Sequence, residues 1–359
     1  MKKSDAEYDV VIIGSGAGGG TMAFAYARKN LRVLVLEAGP KFDPFKDYKL
    51  ADKSWEQQGF PHKPGSQGRQ TFAELQKLDP AHEDPRSWNA VIGKTNPTDR
   101  RRPYKYHHVR GVGGSTLAFT GESHRMHPES MQMKSRFGVA AYWPVDYKTL
   151  EPFYSEAEKI IGVARPTDLG TRWRSEPYPL PPRELGFGGQ KLVAGAEKLG
   201  MNWGANARAA LSKPCDDRPN CNYCADCNRG CRRTDKGSVD VTFLQKATAS
   251  GFCTIQSGVT VTKIEAGADD RVKGVHLIDA EGKSAFLATP KLVVACGAVE
   301  TPRLLLNSAN QHAPDGLANE SGLNGPVGYA QRVVGGWGHR RIRGCNVPVQ
   351  VQEYIDSKK

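Results

Sequence analysis

The sequence predicts an α/β fold, and three features near its N-terminal end carry that expectation. Tyr8–Gly14 is a short apolar run rich in β-branched residues that ends in glycine. Gly19–Asn30 has the composition and spacing of a helix, and Arg32–Glu37 (RVLVLE) is a second strand fit for burial. Together they form one complete βαβ unit.

Composition narrows the class of protein. A chain of 359 residues can bury one large core or two ordinary ones. Hydrophobic residues at 38% and charged residues at 25% fit an ordered globular chain. No stretch approaches the roughly 18 apolar residues that span a bilayer, so no intrinsic membrane segment is expected. Two lysines open the chain as in a signal peptide, but Asp5, Glu7 and Asp9 follow and Val10–Ile13 is too short for a signal core. The expectation is a cytoplasmic start, with a periplasmic or membrane-associated location open through a signal-bearing partner.

The net charge of +12 raises nucleic acid as a partner. The densest basic patch is Arg100, Arg101, Arg102, Lys105 and Arg110, interleaved with Tyr104, Tyr106, His107 and His108. No nucleic-acid module accompanies it, so it reads as a solvated loop leading into a glycine turn, and no nucleic-acid partner is expected. A basic surface also suits an anionic cofactor or an acidic redox partner.

Beyond the first unit, periodicity fades from Pro40 to Arg110. Trp55, Phe60, Phe72 and Trp88 need burial there, so loops and short helices covering a site are expected. Asp146 is placed to cap a helix with Leu150, Phe153, Tyr154, Ala157, Ile160 and Ile161 on one apolar face. Gln190–Leu199 is a shorter amphipathic helix. Val259–Glu265, Lys273–Asp279 and Ser284–Ala288 read as a β-meander, Lys291–Ala295 as another buried strand, and Glu300–Asn307 as the helix behind it.

The turn of the first unit carries chemistry. Gly14-Ser15-Gly16-Ala17-Gly18-Gly19 matches G-x-G-x-x-G between a strand and a helix, and Glu37 ends the second strand. Gly14 permits a tight turn, Gly16 lets backbone approach a pyrophosphate, and Gly19 allows close helix–strand packing. Helix amides then face phosphate charge, and Glu37 accepts from ribose hydroxyls. This pattern implies a dinucleotide and leaves NAD and FAD open.

Further segments bear on that choice. Arg110-Gly111-Val112-Gly113-Gly114-Ser115-Thr116-Leu117 resembles the first signature of glucose-methanol-choline oxidoreductases. Trp143-Pro144-Val145-Asp146-Tyr147 with Leu150-Glu151-Pro152-Phe153-Tyr154 is similar to that family's next element. Gly297–Ser308 resembles its second signature, with Ala309 where a glycine is usual, and Val261 matches the position whose backbone meets the adenine. The resemblance runs from Tyr8 to about Gly325, closest to bacterial sugar and sugar-acid dehydrogenase large subunits.

It implies FAD on a Rossmann-like domain, with an inserted β-meander and an incomplete substrate domain. The family includes members that join the flavin to a histidine near the glycine turn, where His107, His108 and His124 stand here. The expectation for this chain is noncovalent FAD. Residues 1–40, 105–125 and 233–325 would form the FAD-binding domain, 41–104 a cover, 126–214 part of a substrate domain, and 326–359 an atypical tail. Gly113 and Gly114 remove side chains where a ring system approaches backbone. Ser115 and Thr116 offer hydroxyl donors. The implied reaction is hydride transfer from the CH–OH carbon of a sugar, polyol or related alcohol to flavin N5. The implied partners are that small-molecule substrate, a small subunit and a cytochrome c acceptor.

Residues 215–232 are rich in cysteine. The spacing Cys221-x2-Cys224-x2-Cys227-x3-Cys231 is that of a ferredoxin-type iron–sulfur motif. Disulfides suit a chain without an export signal poorly, and zinc ligands more often come as two separated pairs. Arg232 stands where ferredoxins have proline. By resemblance, Cys221, Cys227 and Cys231 would hold a 3Fe-4S cluster, or a 4Fe-4S cluster with Cys224 as fourth ligand. Cys215, Cys253, Cys296 and Cys345 read as ordinary thiols.

After Leu317–Leu323 the resemblance breaks. The family's C-terminal segment supplies a catalytic histidine, and none of the nine histidines here sits in a matching motif. His339, flanked by Gly338 and Arg340, reads as exposed. The expectation is a flavin-dependent alcohol or sugar dehydrogenase without its usual base, truncated or split and weakly active alone. The alternative is a non-catalytic flavin or iron–sulfur electron carrier.

Overall fold

The computed structural model describes residues 7–48, 109–139, 142–166, 173–224, 227–269, 271–319 and 352–354. In chain order these form β1 (Val10–Ile13), α1 (Ala17–Ala27), β2 (Val33–Glu37), α2 (Met133–Phe137), α3 (Tyr147–Ile161), α4 (Phe187–Lys198) and α5 (Phe243–Ala249). Then follow β3 (Cys253–Ser257), β4 (Thr260–Ala266), β5 (Val272–Ile278), β6 (Ser284–Ala288), β7 (Leu292–Val294), α6 (Gly297–Asn307) and β8 (Gln352–Tyr354).

The main sheet has the order β3-β2-β1-β7-β8. Its first four strands run parallel, with Ile13 opposite both Leu36 and Val294, and β8 lies antiparallel on β7. Alternation along β1 and β2 divides the core into two faces. Val10, Ile12, Val33 and Val35 pack with Ala23 and Ala27 of α1 and with Phe243, Leu244 and Ala247 of α5. Val11, Ile13, Leu34 and Leu36 pack with Val261, Ile264 and Val275 of the β4-β5-β6 meander and with Leu304 and Leu305 of α6. Helices thus cover one side of the sheet, and the meander with α6 covers the other. Burial on both faces explains why β1 and β2 are continuous apolar runs.

Among the elements that depart from expectation, three bear on the core. The helix α5 and the edge strand β3 complete the first layer although neither has a strong periodic signal. In β3 only Cys253 is fully buried. The third is α3. Asp146 caps it, its carboxylate accepting from the Thr149 amide at 2.8 Å, but the buried residues are Tyr147, Glu151, Ser155 and Glu158. Phe153, expected inside, is 62% exposed. The reason is Arg125, itself 3% exposed. Its guanidinium donates to Glu151 at 2.7 Å and to Glu158 at 2.8 and 2.9 Å, turning the acidic face inward. Only Ala157, Ile160 and Ile161 reach the first apolar core.

Residues 49–104 of the covering segment, the basic patch apart from Arg110, His339 and Cys345 lie outside the described residues. No helix among the described residues is long and apolar enough to cross a membrane.

Candidate functional site

The candidate residues gather at the carboxyl ends of β1, β2 and β7, where open parallel sheets bind ligands. Gly14 leaves β1 through a bond from its amide to Leu36 O at 2.8 Å, while the Ala295 amide beyond β7 donates to Ile13 O at 2.8 Å. Helix α1 begins one residue after Gly16, and no side chain caps it. Its first-turn amides therefore lack intrahelical acceptors and carry the positive end of the helix dipole.

The fingerprint glycines differ in why they must be glycine. A Cβ on Gly14, whose φ is +91°, would lie 2.6 Å from Ala295 O, and one on Gly19 would lie 1.8 Å from Gly14 O. Both are dictated by the chain's own packing. Gly16 is not: φ is −68° and the nearest atom to its absent Cβ, the Gly114 Cα, is 3.9 Å away. The fold leaves space beside Gly16 and a row of free amides behind it. That is the shape required for close approach of a phosphate.

Glu37 closes the turn from the end of β2. Its Oε2 accepts from the Ser15 amide at 3.0 Å and the Ser15 hydroxyl at 2.5 Å, and its Oε1 accepts from the Gly39 amide at 2.9 Å. A carboxylate has about four acceptor positions, so Oε1 keeps one for a ribose hydroxyl. The meander enters here too. The Val259 amide donates to Glu37 O at 2.9 Å, which brings the strand carrying Val261 alongside the carboxylate. The Val261 side chain itself points into the second core.

The second glycine turn lies directly against the first. The Gly113 amide donates to the Ser15 hydroxyl at 3.1 Å, and Gly111 O lies 3.3 Å from the same oxygen. Arg110, at the start of the turn, is exposed. Residues Gly114–Leu117 form a 3-10 helix in which Ser115 is exposed and keeps its hydroxyl proton free, accepting only from the Val109 amide at 3.4 Å. Thr116 corrects its expectation. Its hydroxyl donates to Gly113 O at 2.6 Å and accepts from the Val239 amide at 3.0 Å, so its single proton serves the turn and not a ligand.

The four spaced cysteines are not brought together as a ligand set. Among the described residues no group of three or more His, Cys, Asp or Glu side chains is placed to hold a metal. Cys221 accepts from Arg183 at 3.1 Å, while the Cys231 thiol donates to Asp235 at 3.0 Å. Burial, reinforced by the Asp235 charge, pushes the Cys231 thiol up to about 12. Cys224 and Cys227 are half-buried thiols. Sequence spacing does not report where the thiols point, and among the described residues they form no group of three placed for a metal.

Sequence reasoning missed the buried cations Arg125, Arg218 and Lys236, because a charged residue carries no mark of burial. Lys236 has 0% exposure.

A parallel sheet with a glycine-rich turn, an open phosphate cradle and a carboxylate at the next strand defines a dinucleotide-binding fold. Residues 8–330 match the profile of the GMC oxidoreductase family, and the chain belongs to that family. It is 30% identical over 332 residues to the fructose dehydrogenase large subunit of Gluconobacter japonicus, covering 90% of this chain and 58% of the relative. It is 27% identical over 337 residues to the 2-methyl-1,2-propanediol dehydrogenase of Mycolicibacterium austroafricanum, covering 90% and 55%. The chain thus spans little more than half the length of these relatives. Among solved structures, an FAD-dependent oxidoreductase from Chaetomium thermophilum superposes with a TM-score of 0.53 at 15% identity, over 84% of this chain and 48% of that one. FAD is the cofactor that the family supports, and the residues present fit it: Gly16 for close approach, the α1 amides for pyrophosphate, and Glu37 for ribose.

Proposed function

We propose that the chain binds FAD noncovalently and forms the cofactor-binding part of a dehydrogenase acting on the CH–OH group of a sugar, polyol or related alcohol. The observation that carries the reading is Gly16, a glycine that the fold itself does not require. The substrate class rests on the fructose and propanediol dehydrogenases among the relatives. Bound FAD would supply the acceptor for a hydride leaving the alcohol carbon.

The chain's own residues prepare that step. The Ser15 hydroxyl joins Glu37 to the Gly113 amide, so the two glycine turns are held as one surface. Ser115 keeps a hydroxyl proton for a cofactor oxygen. Hydride loss also requires an acceptor for the hydroxyl proton. His124 and His276 are paired with Glu122 and Glu265, and His127 receives the Glu129 amide. No base is assigned to these histidines. The first relative is a large subunit, and assembly with further subunits, among them a small subunit and a cytochrome c acceptor, belongs to the proposal. No electron-transfer step is routed through the cysteine segment, whose geometry does not gather a cluster.

The test is to load the purified chain with FAD, remove free cofactor and record the visible spectrum. Flavin bands should persist and should be released completely by acid precipitation. Anaerobic addition of sugars or polyols should then bleach them, at a slow rate. A folded chain that retains no flavin would overturn the reading. Bleaching by dithionite but by no alcohol would favour the non-catalytic carrier.

A further inference from the structure

Behind the second glycine turn, Lys236 is wholly buried. An ammonium in that position is tolerated only if its three N–H groups find acceptors. They do: Nζ donates to Leu117 O at 2.9 Å, Phe119 O at 3.0 Å and Cys227 O at 2.6 Å. The Phe119 ring lies 5.3 Å from Nζ. One of these carbonyls ends the Gly114–Leu117 turn and another lies two residues beyond it. The third belongs to the cysteine-rich segment. One buried charge therefore fastens that segment to the turn.

The base of this clamp is itself fixed. The Gly237 amide donates to Ala209 O at 2.9 Å, and the Leu211 amide to Asp235 O at 3.1 Å. Leu211 O in turn receives the Cys221 amide at 2.8 Å. Three residues after Lys236, the Val239 amide donates to Thr116. Residues 236–239 thus hold the turn from both its middle and its end.

We propose that Lys236 is a positioning residue for the cofactor site, making the Gly113–Leu117 turn and the segment around Cys227 one mechanical unit. This gives the cysteine-rich segment a role that needs no metal: it is the wall against which the flavin-facing turn is braced. The proposal rests on the FAD reading above.

The test is amide hydrogen exchange on the wild-type chain with and without FAD. Binding at the turn should slow exchange across residues 221–231, beyond the cofactor's own contacts, by about tenfold. If the chain takes up no FAD, the cofactor reading falls and this proposal with it. If FAD binds and exchange across 221–231 is unchanged, the proposal alone falls. A second arm compares Lys236→Met with Lys236→Arg by visible circular dichroism of the bound flavin. The methionine variant should show an altered flavin band that the arginine variant, which keeps charge and donors, partly restores. A native flavin band in a folded Lys236→Met chain would also overturn the proposal, and if that variant does not fold, the exchange experiment decides.

Discussion

Gly16 and Gly114 face each other across the site: a Cβ on Gly114 would fall 2.8 Å from the Gly16 Cα, whereas one on Gly16 would stop 3.9 Å from the Gly114 Cα. The asymmetry separates the stability of the site from its binding. Gly114 also has φ +55°, where a side chain adds strain. Gly114→Ala should therefore destabilise the chain by about 1–3 kcal/mol and weaken FAD binding together. Gly16→Ala should leave the urea midpoint nearly unchanged and weaken FAD about a hundredfold, roughly 3 kcal/mol of binding. Urea titration beside flavin-fluorescence titration checks both. Equal loss of stability in the two variants would remove the basis for reading Gly16 as a ligand position.

The Ser15 hydroxyl is the latch between the two turns. Ser15→Ala removes the 2.5 Å bond to Glu37 and leaves the buried Gly113 amide without its acceptor. An orphaned buried donor costs about 1–3 kcal/mol. Glu37→Gln should be worse, because one oxygen becomes an amide facing the N–H donors of Ser15 or Gly39. Thermal denaturation should rank wild type above Ser15→Ala above Glu37→Gln. FAD affinity should follow the same order.

Much of this frame was legible because its signals are local. The continuous apolar runs of β1 and β2, the glycines between them and the meander's turns each follow from neighbouring residues. What was not legible depends on distant partners. Seven-residue α5 is too short to show a period, and edge strand β3 buries little. Helix α3 carried an apolar stripe, yet Arg125, remote in sequence, decides which face goes inward. Thr116 reads as a ligand donor until the backbone of Val239 arrives beside it. The cysteine spacing suggested a ligand set, but spacing along a loop does not fix the direction of four thiols.

Three buried or half-buried thiols give a chemical prediction. Burial pushes Cys253 up to about 11, and burial with the nearby Glu37 and Glu300 charges pushes Cys296 up to about 12. Cys231 is likewise held up to about 12. Since the thiolate is the reactive form, all three should resist alkylation in the native chain at mildly alkaline pH. They should react fully in denaturant. Peptide mapping after brief iodoacetamide treatment reads each site, and rapid native labelling of Cys231 would contradict its described environment.

The Arg125 network should govern acid stability. Burial alone would raise the Glu151 carboxyl, but hydrogen bonds from Arg125, Ser175 and Ser155 outweigh it and hold the group at about 2. Glu158 is also lowered, with Arg125 and Arg174 overcoming its burial. A carboxyl depressed in the folded state stabilises the fold above its unfolded pKa and loses that contribution as pH falls toward the folded value. For Glu151 the window runs from about 4.5 down to about 2, and the full contribution is about 3 kcal/mol at neutral pH. The urea midpoint should therefore fall steeply across this range. Ser175→Ala, which removes the 2.7 Å bond to Glu151, should shift the fall to higher pH while keeping the fold. Arg125→Met leaves two buried carboxylates without their main partner, which costs about 3–5 kcal/mol at neutral pH. In that variant Glu158 keeps Arg174 and Glu151 keeps its bonds from Ser175 and Ser155, so both carboxyls should be depressed less than in the wild type and stability should fall less steeply with acid. An Arg125→Met chain whose stability falls with acid as steeply as the wild type would show that the depression of Glu151 and Glu158 has another source.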